Sequence, residues 1–292
     1  MTDFSVAGLA LVLEDSSVEF ADFQPESYRL FQVSGPIRNA VQIEVRQGPT
    51  MPPREGRKIF SQGDSWALFR DASDYVLVVE PRHEHQPRAC VRFHPNCRHA
   101  SLTFSAGTSA GGDSRPMHPF TYPIDRLMIV YYLASRAGLL MHAAGGIISG
   151  GGFVFAGLSG AGKSTLAKLL AESKDCEILS DERVAVRRIE GYQVFGTPWH
   201  GDGGFASPSQ APLTGVIFLR HGSKNRMSRL PTSEAVPMLL PLVSVAWFDR
   251  EILEPQLRFL EQLVATIPCY RFDFLPQAEA VACLRSFVSE RA

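Results

Sequence analysis

No run in these 292 residues stays apolar for the roughly 18 positions that a membrane-spanning helix requires. Net charge is almost absent: 29 Lys and Arg against 30 Asp and Glu leave −1. That balance speaks against a general binder of nucleic acid or anionic membrane and leaves room only for a local basic patch. The first residues, MTDFSVAGLALVLEDSS, contain an apolar stretch but no leading basic residue, and their flanks are acidic. A secretory leader is therefore not expected. Cysteine is sparse and odd in number, five residues without regular spacing, so a disulfide framework is excluded and reduced thiols in a cytoplasmic protein are expected. Internal repeats are lacking too, and so is low-complexity sequence beyond one linker.

What is present fits a globular α/β chain of one large domain or two ordinary ones, with 45% hydrophobic and 20% charged residues. Residues 1 to about 104 are β-rich. SYRLFQV, AVQIEVR and WALFRDASDYVLVVEP alternate apolar and polar positions between turn formers. Asp71 to Asp74 should turn a hairpin there. SAGTSAGGDSRPMHPFTYP, rich in Gly, Ser and Pro, reads as the connection between a domain over 1–110 and a second over 120–292. PIDRLMIVYYLASRAG follows as a buried helix that Gly138 should end.

Beyond it, LLMHAAGGIIS and GGFVFAG are apolar runs joined by a glycine turn, a strand pair whose second member leads into GLSGAGKS, Gly157–Ser164. That octapeptide fits G-x-x-x-x-G-K-[ST]. Glycines at 157, 160 and 162 let backbone N–H groups face phosphate oxygens, across Ser159 and Ala161 as well. A helix over 164–173, with Leu166, Leu169 and Leu170 on one side, adds its positive dipole end. Lys163 supplies charge for the β- and γ-phosphates, the Ser164 hydroxyl suits Mg²⁺, and Thr165 continues the cradle. ATP with Mg²⁺ is the expected ligand.

CEIL is the next buried strand, expected beside the loop-bearing one and ending at Ser180-Asp181-Glu182. Asp181 follows Lys163 by only 18 positions, within reach of Mg²⁺ or an incoming hydroxyl. RVAVRRIEGYQVFG should turn a hairpin at Glu190-Gly191, and GVIFLR and CYRFDF are further strands. The signature segment of transporter ATPases, the N-K-x-D of small GTPases and the Asp-Gly-Asp-Asn of adenylylsulfate kinases are all missing.

The series MHAAGG, GLSGAGKST, LSDERVAV resembles the HPr kinase/phosphorylase family, whose fold is that of the ATP-dependent phosphoenolpyruvate carboxykinases. The resemblance covers about residues 125–220. It implies a kinase domain with a phosphate loop behind the β-rich domain, in a fold that assembles readily into homo-oligomers. Asp181 takes the place of the catalytic aspartate, His142 that of the active-site histidine, and Glu182 that of a second acid that helps hold Mg²⁺. Arg183 follows as a charge donor or a brace. The family's downstream glycine-rich signature, associated with the reverse reaction and HPr recognition, is not recognisable. The acceptor expected is thus a serine-type hydroxyl on a peptide, protein or small molecule. A nucleotide-binding regulator without transfer is the alternative, and an adenylylsulfate-kinase-like metabolite kinase a weaker one.

Three other stretches carry polar groups. GTPWHGDGG should display Thr197, His200 and Asp202 toward the site, with Trp199 beneath the loop or shaping an acceptor groove. RHEHQPRACVRFHPNCRH holds His83, His85, Cys90, His94, Cys97 and His99 but no C-x₂-C knuckle, so a solvated hairpin is preferred to a zinc site. RHGSKNRMSR reads as a solvated loop before an anion clamp.

Overall fold

The computed structural model describes residues 3–13, 20, 26–34, 40–48, 50, 54–80, 88–95, 99–105, 118 and 120–290. The chain forms two compact units, Met1–Ser135 with Ala246–Arg250, and Arg136–Val245 with Glu251–Ala292. Among the described residues no helix is long and apolar enough to cross a membrane. The inter-domain linker read from the sequence lies largely outside them, as do His83, His85 and Cys97.

The first unit contains β1 (Asp3–Val6), β2 (Leu9–Leu13), α1 (Glu26–Arg29), β3 (Gln32–Val33), β4 (Val41–Gln47), β5 (Arg57–Gln62), β6 (Trp66–Asp71), β7 (Asp74–Val79), β8 (Ala89–Phe93), β9 (His99–Phe104) and α2 (Ile124–Ser135). Its sheet runs β3-β1-β2-β4-β9-β8-β7-β6-β5. Alternation sets the buried face: Val41, Ile43 and Val45 of β4, and Ala89, Val91 and Phe93 of β8, are buried while their neighbours are not. β6 and β7 pair down to Asp71 and Asp74, as the hairpin reading requires. α2 covers the sheet with Tyr131, whose ring meets Tyr75 at 4.5 Å and Phe93 at 5.5 Å. Two buried tyrosine–carboxylate bonds fix it: Tyr28 to Asp125 and Tyr131 to Asp249. The helix stops at Ser135, and Ala137 with φ 50° makes the left-handed exit, so Gly138 begins a strand instead of ending the helix.

The second unit carries β10 (Gly138–Met141), β11 (Ala144–Ile148), β12 (Gly151–Ala156), α3 (Lys163–Ala171), β13 (Cys176–Ser180), β14 (Val184–Arg188), β15 (Tyr192–Phe195), β16 (Gln210–His221), β17 (Arg226–Leu230), α4 (Thr232–Leu239), a 3₁₀ turn (Leu240–Leu242), α5 (Arg250–Thr266), β18 (Cys269–Phe274) and α6 (Ala278–Ser289). Strand order is β10-β14-β15-β16-β12-β11-β13, with β18 on β16 and β17 on β18. β12, β16 and β18 run parallel. β12 and the Gly215–Leu219 part of β16 are buried on both faces, which accounts for their unbroken apolar runs, whereas β18 alternates buried residues with Arg271 and Asp273. Phe153 and Phe155 face a core with Leu166 and Leu170 of α3 and Leu284 of α6; Val154 and Ala156 face one with Leu260 and Leu263 of α5. Each large side chain so buried is worth about 1.5–3 kcal/mol, so the strand entering the glycine loop is held from both sides.

Two sequence expectations change. LLMHAAGGIIS is two strands that part at His142: β10 pairs with β14 and β11 with β12 and β13. The strand ending at Ser180 lies beside β11, one strand removed from the loop-bearing β12. Strand order is set by tertiary pairing, which an apolar run does not encode.

Candidate active site

The loop Gly157–Gly162 leaves the buried β12 and enters α3 at Lys163. Gly162 stands at the N-cap with φ 95°, and no side chain caps the helix. The amides of the first turn, Lys163 to Thr165, therefore have neither an intrahelical acceptor nor a capping side chain. Gly162 is required for a second reason. A Cβ there would lie 2.6 Å from Cζ of Phe274. Lys163 is buried, and its Nζ donates to the carbonyl of Gly157 at 2.8 Å and that of Leu158 at 3.3 Å. Burial lowers its pKa, and the Glu182 carboxylate opposes that shift.

A cavity of about 350 Å³ opens over the loop. Ser159, Gly160, Gly162, Lys163, Ser164 and Thr165 form one wall. His142, Asp181 and Glu182 line it as well, so all three acid–base candidates share the space with the loop. Gly157 and Ala161, also expected to cradle the ligand, line a neighbouring cavity instead. His142 sits between β10 and β11, its backbone N–H donated to the carbonyl of Leu242 at 2.6 Å.

Asp181 is 1% exposed and accepts three backbone N–H groups. Oδ1 receives those of Gly201 (2.9 Å) and Phe205 (3.3 Å), and Oδ2 that of Gly203 (2.7 Å). The GDGG turn wraps the carboxylate, and Gly203 allows it, since a Cβ there would stand 2.6 Å from Oδ2. Ser180 completes the frame. Its hydroxyl donates to the Trp199 carbonyl and accepts the N–H groups of Glu182 and Arg183.

GTPWHGDGG therefore contributes differently from the expectation. Thr197 is fully buried and donates its hydroxyl to the Arg183 carbonyl, and Trp199 is buried; His200 is exposed, with Nδ1 3.0 Å from the Gly201 carbonyl. Only Asp202 and Gly201 of that turn reach the cavity. Arg183 sends Nη1 to the Ser244 hydroxyl at 3.3 Å and Nε to within 3.5 Å of Glu182, a brace rather than a cavity charge.

One cavity residue was missed. His221, at the end of β16, donates Nε2–H to the Gly160 carbonyl at 2.7 Å, and its ring stacks 6.0 Å from Phe274. Its signal lay in RHGS: a polar residue at the carboxyl end of a strand parallel to β12 faces the same crevice. Two further residues of that stretch are engaged: Arg220 pairs with Asp273, and Asn225 Oδ1 accepts the Leu275 N–H.

Among the described residues, no three His, Cys, Asp or Glu side chains converge to hold a metal. Mg²⁺ needs less from a protein, one or two carboxylates besides a nucleotide's phosphates. The Glu182 and Asp181 carboxylates and the Ser164 hydroxyl lining one cavity are the hard oxygen donors that ion takes.

No family model matches the chain, and no curated protein does. Among solved structures, the HPr(Ser) kinase/phosphatase from Coxiella burnetii is similar at 13% identity, covering 52% of this chain and 88% of that chain with a TM-score of 0.31. The chain's own architecture is mixed α/β.

Proposed function

We propose that the second unit is a phosphate-loop kinase domain of the HPr kinase/phosphoenolpyruvate carboxykinase type. It transfers the γ-phosphate of ATP to a hydroxyl on a peptide, protein or small molecule. The observation that carries this reading is the uncapped start of α3, with Lys163 behind it, facing Asp181, Glu182 and His142 across one cavity. Uncapped amides beside a buried lysine favour a polyanion, and carboxylates across from it suit the transfer end.

In this mechanism the β- and γ-phosphates lie on the loop amides, and Lys163 neutralises the charge that develops on them. With Asp181 taking the proton, Glu182 and Ser164 would hold Mg²⁺, which when bound supplies further charge neutralisation and orients the phosphates. The acceptor oxygen attacks Pγ in line, the Pγ–O bond to the β-phosphate breaks, and ADP leaves. Asp181 orients the acceptor hydroxyl and takes its proton as the new P–O bond forms. His142 assists from the bend between β10 and β11. The β-rich region over 1–110 is the accessory domain in this reading.

One observation favours a second reading, a nucleotide-binding regulator: Asp181 is nearly inaccessible and already accepts three N–H groups. The test uses γ-labelled ATP, Mg²⁺ and host extract split into macromolecular and small-molecule fractions, with Lys163→Ala as control. Label in either fraction, absent with Lys163→Ala, supports transfer and identifies the acceptor class. ATP binding without label anywhere supports the regulator.

A further inference from the structure

We infer that the apolar cavity flanking the glycine loop seats the purine base of the nucleotide, and that it reads the base by shape, hardly distinguishing adenine from guanine. This rests on the phosphate-transfer reading. The cavity measures about 500 Å³, enough for a nucleoside, and shares Ser159, Gly160 and His221 with the cavity over the loop. A ligand with its phosphates in one therefore extends directly into the other.

The polarity of the crevice sets which end goes where. Asp181 and Glu182 stand beyond β11, on one side of β12. The apolar cavity lies on the other side, at the carboxyl ends of β12 and its parallel neighbour β16. Ligands of open α/β sheets settle along such strand ends. The transferring phosphate belongs beside the carboxylates, so the nucleoside points toward β16.

The walls there suit a flat aromatic ring. Phe218, Pro237, Met238, Pro241 and Leu242 form them, and Leu158 overhangs from the loop. Leu158 is 68% and Met238 38% exposed, a high exposure for large apolar side chains that a base would cover. Four lining side chains are polar: Ser159, Arg220, His221 and Arg271. Arg220 is paired with Asp273, Arg271 with Glu234, and His221 is bonded to Gly160. Among the described residues lining the cavity there is no carboxylate or side-chain amide. Carboxylates and side-chain amides are among the groups that distinguish one purine edge from the other, and the two arginines that could also do so are each held by a carboxylate.

The test is calorimetric binding of ATP, GTP and inorganic tripolyphosphate, each with Mg²⁺, to the full chain, to Met238→Asn and to the double variant Leu158→Asn/Met238→Asn. We expect wild-type affinities for ATP and GTP within about five-fold of each other. The variants should weaken both by five-fold or more while tripolyphosphate affinity stays within two-fold. Unchanged ATP and GTP affinity in the double variant would overturn the base site and hand the cavity to the acceptor. A preference above thirty-fold between the purines would overturn reading by shape. If instead wild type failed to bind tripolyphosphate, or Lys163→Ala bound ATP normally, the phosphate reading itself would fall, and the base site with it.

Discussion

Asp181→Asn perturbs two things that its surroundings join. The carboxylate accepts N–H groups from Gly201, Gly203 and Phe205. An asparagine can keep its carbonyl oxygen at the Oδ1 position and preserve the bonds to Gly201 and Phe205. Its NH₂ then confronts the Gly203 N–H at the former 2.7 Å, donor against donor. Losing one charge-assisted bond and stranding a half-buried N–H costs about 3 kcal/mol in total. At about 1.4 kcal/mol per factor of ten, local opening of residues 201–205 should become roughly 100-fold more frequent. Hydrogen exchange at those amides, followed by mass spectrometry, reads that directly. Transfer should fall further, by about 10²–10⁴ if the proton-accepting role is also lost.

Gly203→Ala separates the two effects, because its Cβ would crowd Oδ2 at 2.6 Å and displace the turn while leaving the carboxylate chemically intact. Transfer should survive better in Gly203→Ala than in Asp181→Asn. Equal losses would reduce Asp181 to a holder of the turn. Unchanged exchange in Asp181→Asn would refute the claim that this carboxylate holds the turn at all.

Other outcomes follow from single contacts. Gly162→Ala forces a side chain into φ 95° and against Phe274, so we expect about 1–3 kcal/mol of lost stability and loss of ATP binding, seen by melting and calorimetry. His118 is buried and takes the Phe120 N–H on Nδ1, and burial lowers its pKa from 6.5 to about 4. The unfolded chain therefore protonates first as the pH falls. The stabilisation by neutral His118 is full above about pH 6.5 and is lost between there and pH 4, about 3 kcal/mol in all. Melting at pH 7.5 and 4.5 should show a larger drop for wild type than for His118→Phe; equal drops would contradict the assignment.

Much of this arrangement was legible as sequence because it is local. The apolar run into GLSGAGKS, the helix after it, the strand ending at Ser180 and the turns at Asp71–Asp74 and Glu190-Gly191 follow from alternation and turn chemistry. What escaped is non-local or made by backbone. The placement of β13 beside β11 depends on pairing, and apolar strands of similar composition do not declare neighbours. Thr197 and Asp202 look alike in a polar segment, yet one is buried under the Arg183 carbonyl and the other lines the cavity. The donors around Asp181 are main-chain amides, whose only trace in sequence is the glycine of GDGG that lets them approach.

Those donors also divide the labour between the two acids. An ionised carboxylate offers about four lone-pair sites over its two oxygens. Oδ1 of Asp181 has two taken and Oδ2 one, which leaves a single acceptor position, on Oδ2. That position can receive the acceptor's proton or a metal ion, but not both in one step. If Asp181 is the base, the protein's carboxylate for Mg²⁺ is Glu182, which lines the same cavity and faces Lys163 electrostatically. Glu182→Gln should then raise the Mg²⁺ concentration for half-maximal transfer about ten-fold or more, within the usual range for a disturbed metal site. Saturating Mg²⁺ should restore most of the rate. Asp181→Asn should lose rate that no Mg²⁺ concentration restores. The opposite pattern, rescue by Mg²⁺ in Asp181→Asn and none in Glu182→Gln, would exchange the two roles.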